Sequence, residues 1–134
     1  MCIRDRVIAI DIWPVQWEIG VLDEGENALS PLFTVRNTGN VNEDILVRAD
    51  DARSMPGEPV TTWTLGSAIG IDTYTLEWQD GGLTWTLLTK SNQELIDNLP
   101  PGDEETFNLR LTAPSAITTP ARMWTRVFLT AVEH

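Results

Sequence analysis

A chain of 134 residues, 42% of them hydrophobic, is long enough to close one two-layer core without metal or disulfide support. Its formal net charge of −11 opposes contact with nucleic acid or anionic membrane, since both need basic clusters on the protein. No apolar run approaches the length required to span a bilayer, so membrane insertion is not expected.

Residues 1–6, Met-Cys-Ile-Arg-Asp-Arg, read as the in-frame translation of a transposase adapter on a fragment, so a single domain is expected over 7–134. Setting aside Arg4, Arg6 and Asp5 leaves 7 basic and 19 acidic residues, a balance of −12. The sole cysteine, Cys2, goes with them. Disulfides, thiol nucleophiles and thiolate metal sites are thereby excluded, and a cysteine-free extracellular β domain fits a prokaryotic or phage source. The missing leader carries no weight in a fragment.

In chain order, segment 7–12 puts Ile8, Ile10 and Ile12 on one face of a strand, which Pro14 interrupts before 15–19 continues it. Segment 22–27 is an acidic turn. Two half-buried strands follow at about 30–36 and 42–49, with Phe33 and Val35 on one apolar face and Ile45, Val47 and Ala49 on another. The link Asn37-Thr-Gly-Asn40 supplies residues that accept positive φ, Gly39 and the asparagines Asn37 and Asn40, so the pair reads as an antiparallel hairpin. Segment 50–62, containing Met55-Pro-Gly-Glu-Pro59, reads as a long loop, and 63–65 as a short apolar stop.

A second hairpin is patterned more clearly. Tyr74, Leu76 and Trp78 alternate on one strand, Leu83, Trp85 and Leu87 on its partner, and Gln79-Asp-Gly-Gly82 makes the turn. Segment 92–99 fits one helical turn or a short strand. Pro100-Pro-Gly-Asp103 is a turn before the strict alternation of Phe107, Leu109 and Leu111. After a connection bracketed by Pro114 and Pro120, segment 123–132 is apolar on both faces and is expected to be a central strand. Seven to nine strands at roughly 8–12-residue spacing predict an all-β antiparallel sandwich or barrel.

Several motifs follow one another in a set order: Phe33-x-Val-x-Asn-Thr-Gly-Asn-Val41, Trp63-x-x-Gly66, Asp72-x-Tyr-x-Leu-x-Trp78, Leu99-Pro-Pro-Gly102 and Phe107-x-Leu-x-Leu-Thr-Ala-Pro114. From Ile8 onward the chain thus resembles the immunoglobulin-like repeats of large secreted or surface-anchored bacterial and archaeal proteins. The resemblance implies an immunoglobulin-like β-sandwich, located extracellularly or at the cell surface. Its role would be structural or adhesive, a spacer and protein-contact surface whose partners are neighbouring modules of the same polypeptide or other surface proteins. It brings no catalytic residues. Within the second hairpin, Asp80-Gly81-Gly82-Leu83-Thr84-Trp85 is similar to the Asp-box of sialidase propellers, with Trp78 where a serine is usual; the box is structural there, and one copy builds no propeller blade.

Few residues offer chemistry. His134 is the only histidine and the last residue, with nothing evident to hold it, so the usual triads and most transition-metal sites are absent and no enzyme is expected. The acidic pairs Asp23/Glu24, Glu43/Asp44 and Asp50/Asp51, with Asp103/Glu104/Glu105, are expected as solvated turn acids. No cofactor is expected, calcium apart: Asp50, Asp51, Asp72, Asp80 and Asp103 sit near strand ends, where loop carboxylates can converge on a hard cation. Of the six tryptophans, Trp63, Trp78 and Trp85 fall at inward positions. Trp13, Trp17 and Trp124 are less constrained and would have to be exposed and coplanar for an alternative role as a carbohydrate-binding module. A phage or virus surface-decoration domain is the other alternative.

Overall fold

The computed structural model describes residues 7–80 and 84–134, and every regular element in it is a strand. In chain order these are β1 (Ile10–Trp13), β2 (Asn27–Leu29), β3 (Phe33–Asn37), β4 (Glu43–Ala49), β5 (Ala52–Ser54) and β6 (Thr62–Leu65), then β7 (Thr73–Gln79), β8 (Thr86–Leu87), β9 (Gln93–Leu99), β10 (Glu104–Thr112), β11 (Met123–Trp124) and β12 (Val127–Glu133). The larger sheet runs β1-β3-β10-β7-β6-β5-β11, with β2 joined to β10 and β8 to β7; the smaller runs β12-β4-β9. Pairing is antiparallel throughout except between β6 and β7. The protein is an all-β, two-sheet fold compatible with a β-sandwich. Twelve strands exceed the seven to nine expected because β2, β5, β8 and β11 are two or three residues long, too short to show a period.

The core is where alternation put it. Phe33 and Val35 of β3, Tyr74 and Leu76 of β7, and Phe107, Leu109 and Leu111 of β10 cluster with Ile45 and Val47 of β4 and Leu95, Ile96 and Leu99 of β9. Phe33 and Phe107 stack with ring centroids 5.4 Å apart.

The segment 33–49 is not a hairpin. β3 pairs with β1 and β10, whereas β4 pairs with β12 and β9, so the chain arches from one sheet to the other across the core. The arch lets Val35 and Ile45, both fully buried, take part in one core from opposite sheets. Asn37 shapes it: fully buried, its Nδ2 donates to the carbonyls of Val41 and Leu99, each at 2.8 Å, and its Oδ1 accepts the Gly39 N–H at 2.8 Å. Its backbone N–H donates to Asp103 O and its carbonyl accepts from Gly102, tying the arch to the 100–103 turn.

Gly39 and Asn40 do belong to this turn, but not through positive φ, which among the described glycines occurs at Gly25, Gly57 and Gly102. Gly39 is needed for close approach instead: a Cβ there would lie 2.1 Å from the Val7 carbonyl oxygen and 2.7 Å from Glu43 Oε2. Asn40 Oδ1 accepts the Val7 N–H at 2.8 Å, and Asn40 N–H donates to Val7 O. Glu43 departs from the solvated state expected of it. The parity of β4 turns it inward, fully buried, where its Oε2 accepts the Ala9 N–H at 2.9 Å. Desolvation pushes its carboxyl above the ordinary range, against the opposing Ala9 hydrogen bond.

Other expectations need correction. Residues 15–19 form no strand, although Trp17 and Ile19 still pack on the core. The loop 50–62 contains β5, and 92–99 resolves as strand β9. The apolar stretch 123–132 splits into β11 and β12, and β12 is an edge strand beside the central β4, with Thr130 and Val132 exposed. Trp85 does not face inward. Leu87 pairs with Glu77, so alternation sets Trp85 on the outer face, where the Arg110 guanidinium lies 4.5 Å from its ring and bonds Glu77 at 2.9 Å; Leu88 is buried instead. Gly81, Gly82 and Leu83 lie outside the described residues.

Candidate functional site: a cleft around Trp124

Where β4 ends, Asp50 and Asp51 turn the chain into β5, and β12 begins with Val127 opposite Ala49. β11 lies along β5, with Trp124 opposite Arg53 and Met123 opposite Ser54. Residues 50–54 and 123–128 therefore meet at the end of the sandwich remote from the 37–43 arch. Tyr74, fully buried on β7, fastens them together: its hydroxyl donates to Asp50 O and accepts from the Thr125 hydroxyl at 2.8 Å, and Thr125 Oγ1 lies 3.0 Å from the same carbonyl.

Burial, offset in part by Thr125, pushes the Tyr74 phenol up to about 12, with Asp51 and Asp50 adding to the rise. Tyr74 is the only tyrosine, so absorbance near 295 nm reads it alone. The neutral phenol is the form that folding favours. Its stabilising share is complete below about 10 and is lost as pH rises through about 12. Tyrosinate absorbance is expected to appear only near pH 12, together with loss of structure. A midpoint near 10 in the folded protein would contradict the fastening described here.

Two adjoining cavities open over this floor. One, of about 220 Å³, is lined by Asp50, Asp51, Arg53, Trp124, Arg126 and Phe128. The other, of about 420 Å³, is lined by the 53–58 and 60–62 segments, and the two share Arg53 and Trp124. The Arg126 guanidinium stacks 4.9 Å from the Trp124 ring centroid, and Arg48 lies 4.0 Å from that of Phe128. Desolvation acts to raise the Asp51 carboxyl, but the Leu65 N–H, Lys90 and Arg53 together hold it below the ordinary range; Lys90 Nζ lies 2.9 Å from Asp51 Oδ1. The Arg53 side chain is exposed and makes no hydrogen bond or close ion pair among the described residues.

The five aspartates singled out for calcium do not converge. Asp50 and Asp51 belong to this cleft. Asp72, at φ 50, has its carboxylate engaged by the Thr118 hydroxyl and N–H, which lower its pKa. Asp80 and Asp103 are exposed, on β7's exit and in the turn before β10. Among the described residues, the one group of three carboxylate or imidazole ligand atoms within reach of each other is Asp44, Asp97 and His134, which contains none of the five.

His134, expected to be unheld, is in fact fixed. Its N–H donates to Asn42 O at 2.9 Å, and its Nδ1 sits 2.7 Å from Asp44 Oδ1 and 3.4 Å from Asp97 Oδ1. The Asp44 hydrogen bond raises the imidazole pKa.

Trp13 and Trp124 are 40% and 38% exposed, and Trp17 is half-buried against the core. Trp13 on β1 and Trp124 on β11 stand at opposite edges of the larger sheet, so the three make no planar row. Sequence reasoning found Trp124 but missed Arg53, Arg126 and Tyr74 as its companions. The available signal was the grouping of arginines at 48, 53, 122 and 126 in a chain poor in cations. Compared with family models, curated proteins and solved structures, the chain matches none.

Proposed function

We propose that the chain is an immunoglobulin-like, non-catalytic contact module of a larger extracellular or cell-surface protein, holding a recognition surface away from its point of attachment. One observation carries this reading. Val7 bonds Asn40 and His134 bonds Asn42, so both residues are tied to the 37–43 arch. β4 and β12 then run the length of the smaller sheet to the opposite end, where the Trp124 cleft opens. Two packed sheets supply the stiffness that presentation needs.

The reading is tested by inserting 7–134 through those two residues into a loop of a surface-display carrier. Cells bearing the insert are expected to adhere to a surface coated with bacterial extracellular matrix. Cells bearing a copy with 55–61 replaced by Gly and Ser are not. Equal adhesion by the two, or none by either, would overturn the proposal.

A further inference from the structure

Of nine lysines and arginines in the sequence, seven lie in 7–134. Five of these seven surround the cleft. Arg53 and Arg126 line it, Arg48 stacks on its Phe128, Lys90 pairs with its Asp51, and Arg122 approaches its Glu58 at 3.6 Å. The acids lining the two cavities are three, Asp50, Asp51 and Glu58. A strongly acidic chain thus concentrates its cations at one end, around a tryptophan that remains 38% exposed, with two arginines and three acids lining the cavities themselves.

We propose that this cleft binds a saccharide unit carrying a single carboxylate, a uronate or a sialate, with the pyranose ring against Trp124 and the carboxylate held by Arg53 and Arg126. The parts match the ligand's chemistry. Ring faces of tryptophan pack on the C–H surface of a pyranose, and Trp124, with Arg126 beside its ring, remains 38% exposed. A guanidinium fork takes a carboxylate with two parallel hydrogen bonds, and Arg53 has no competing hydrogen-bond partner among the described residues. Asp50, Ser54 and Thr61 supply acceptors and hydroxyls for the sugar's own hydroxyl groups. One carboxylate per unit suits a site with two lining arginines among three acids. A dense polyanion would meet the acidity of the remaining surface, whose reach is limited to about 8–10 Å at physiological salt.

This inference rests on the contact role proposed above and adds its chemistry. The intact chain is titrated calorimetrically with 3′-sialyllactose and with trigalacturonate, each beside its uncharged counterpart, lactose and galactotriose. At least one acidic sugar is expected to bind about tenfold or more tighter than its counterpart, with affinity falling as salt is raised. Which of the two binds identifies the source of the carboxylate.

Arg53→Gln, at an exposed position, and Trp124→Ala are each expected to weaken binding about tenfold while the melting temperature shows the fold intact. The inference is overturned if neither acidic sugar binds, if the uncharged sugars bind equally, if Arg53→Gln binds like the parent, or if a glutamate-rich peptide binds better than both. Any of these outcomes with carrier adhesion retained leaves the contact role standing; loss of both removes both.

Discussion

Changing Asn37 to aspartate is expected to destabilise the protein by about 4 kcal/mol or more at neutral pH, although the two side chains have nearly the same shape. Asn37 is fully buried, and its amide donates to two carbonyls, Val41 O within the arch and Leu99 O at the end of β9. Aspartate replaces that donor with a second acceptor. Both carbonyls lose a partner, at about 1–3 kcal/mol each, and a negative charge is left facing them. The melting temperature is expected to fall by roughly 15 °C, taking about 4 °C per kcal/mol for a domain of this size.

The same substitution makes a pH test with a definite sign. A carboxyl buried among acceptors is held above its ordinary pKa, so its stabilising form is the protonated one. The variant should therefore recover stability below about pH 4 and lose it as pH rises through its raised pKa. Urea unfolding of parent and variant between pH 3 and 7 measures both effects. A variant within 1 kcal/mol of the parent at pH 7, with no recovery in acid, would show that Asn37 does not pin the arch.

That arch also shows where sequence reading stops. Between Phe33 and Ala49 the apolar alternation and the polar Asn-Thr-Gly-Asn link are the same for a hairpin and for a crossing between sheets. Partners distant in sequence decide the matter: Leu99 and Asp103 for Asn37, and Ala9 for Glu43. Phe107, Leu109 and Leu111 were legible because a nine-residue strand gives a period-2 pattern time to declare itself. Trp85 was misread because β8 is only two residues long, and its facing depends on register across the 81–83 link. The cleft was half legible for the same reason. Trp124 stood out as a tryptophan not held to an inward position, but β5 and β11 are too short to reveal that Arg53 lies opposite it.

Phe107→Ala should rival the Asn37 change in size, by a different route. Phe107 is 2% exposed and stacks on Phe33 at 5.4 Å, and it lies on the strand that pairs with β3, β2 and β7. Truncation removes the transfer free energy of the ring and leaves a cavity in the middle of the larger sheet, together about 3–5 kcal/mol. Neighbours held in the β3 and β10 ladders cannot collapse into the space, which argues for the upper half of that range. Phe107→Leu fills much of the same volume and should cost about 1–2 kcal/mol, so the pair separates cavity formation from loss of an aromatic contact. Both variants should keep the denaturant slope of the parent in urea unfolding, since the surface exposed on unfolding is nearly unchanged. The cleft provides an internal control. It lies at the far end of β7, fastened by Tyr74, so folded Phe107→Leu should still titrate its phenol near pH 12. An alanine variant costing under 1.5 kcal/mol would mean that the ring is not part of a packed core, and the two-sheet arrangement would then need to be redrawn around β10.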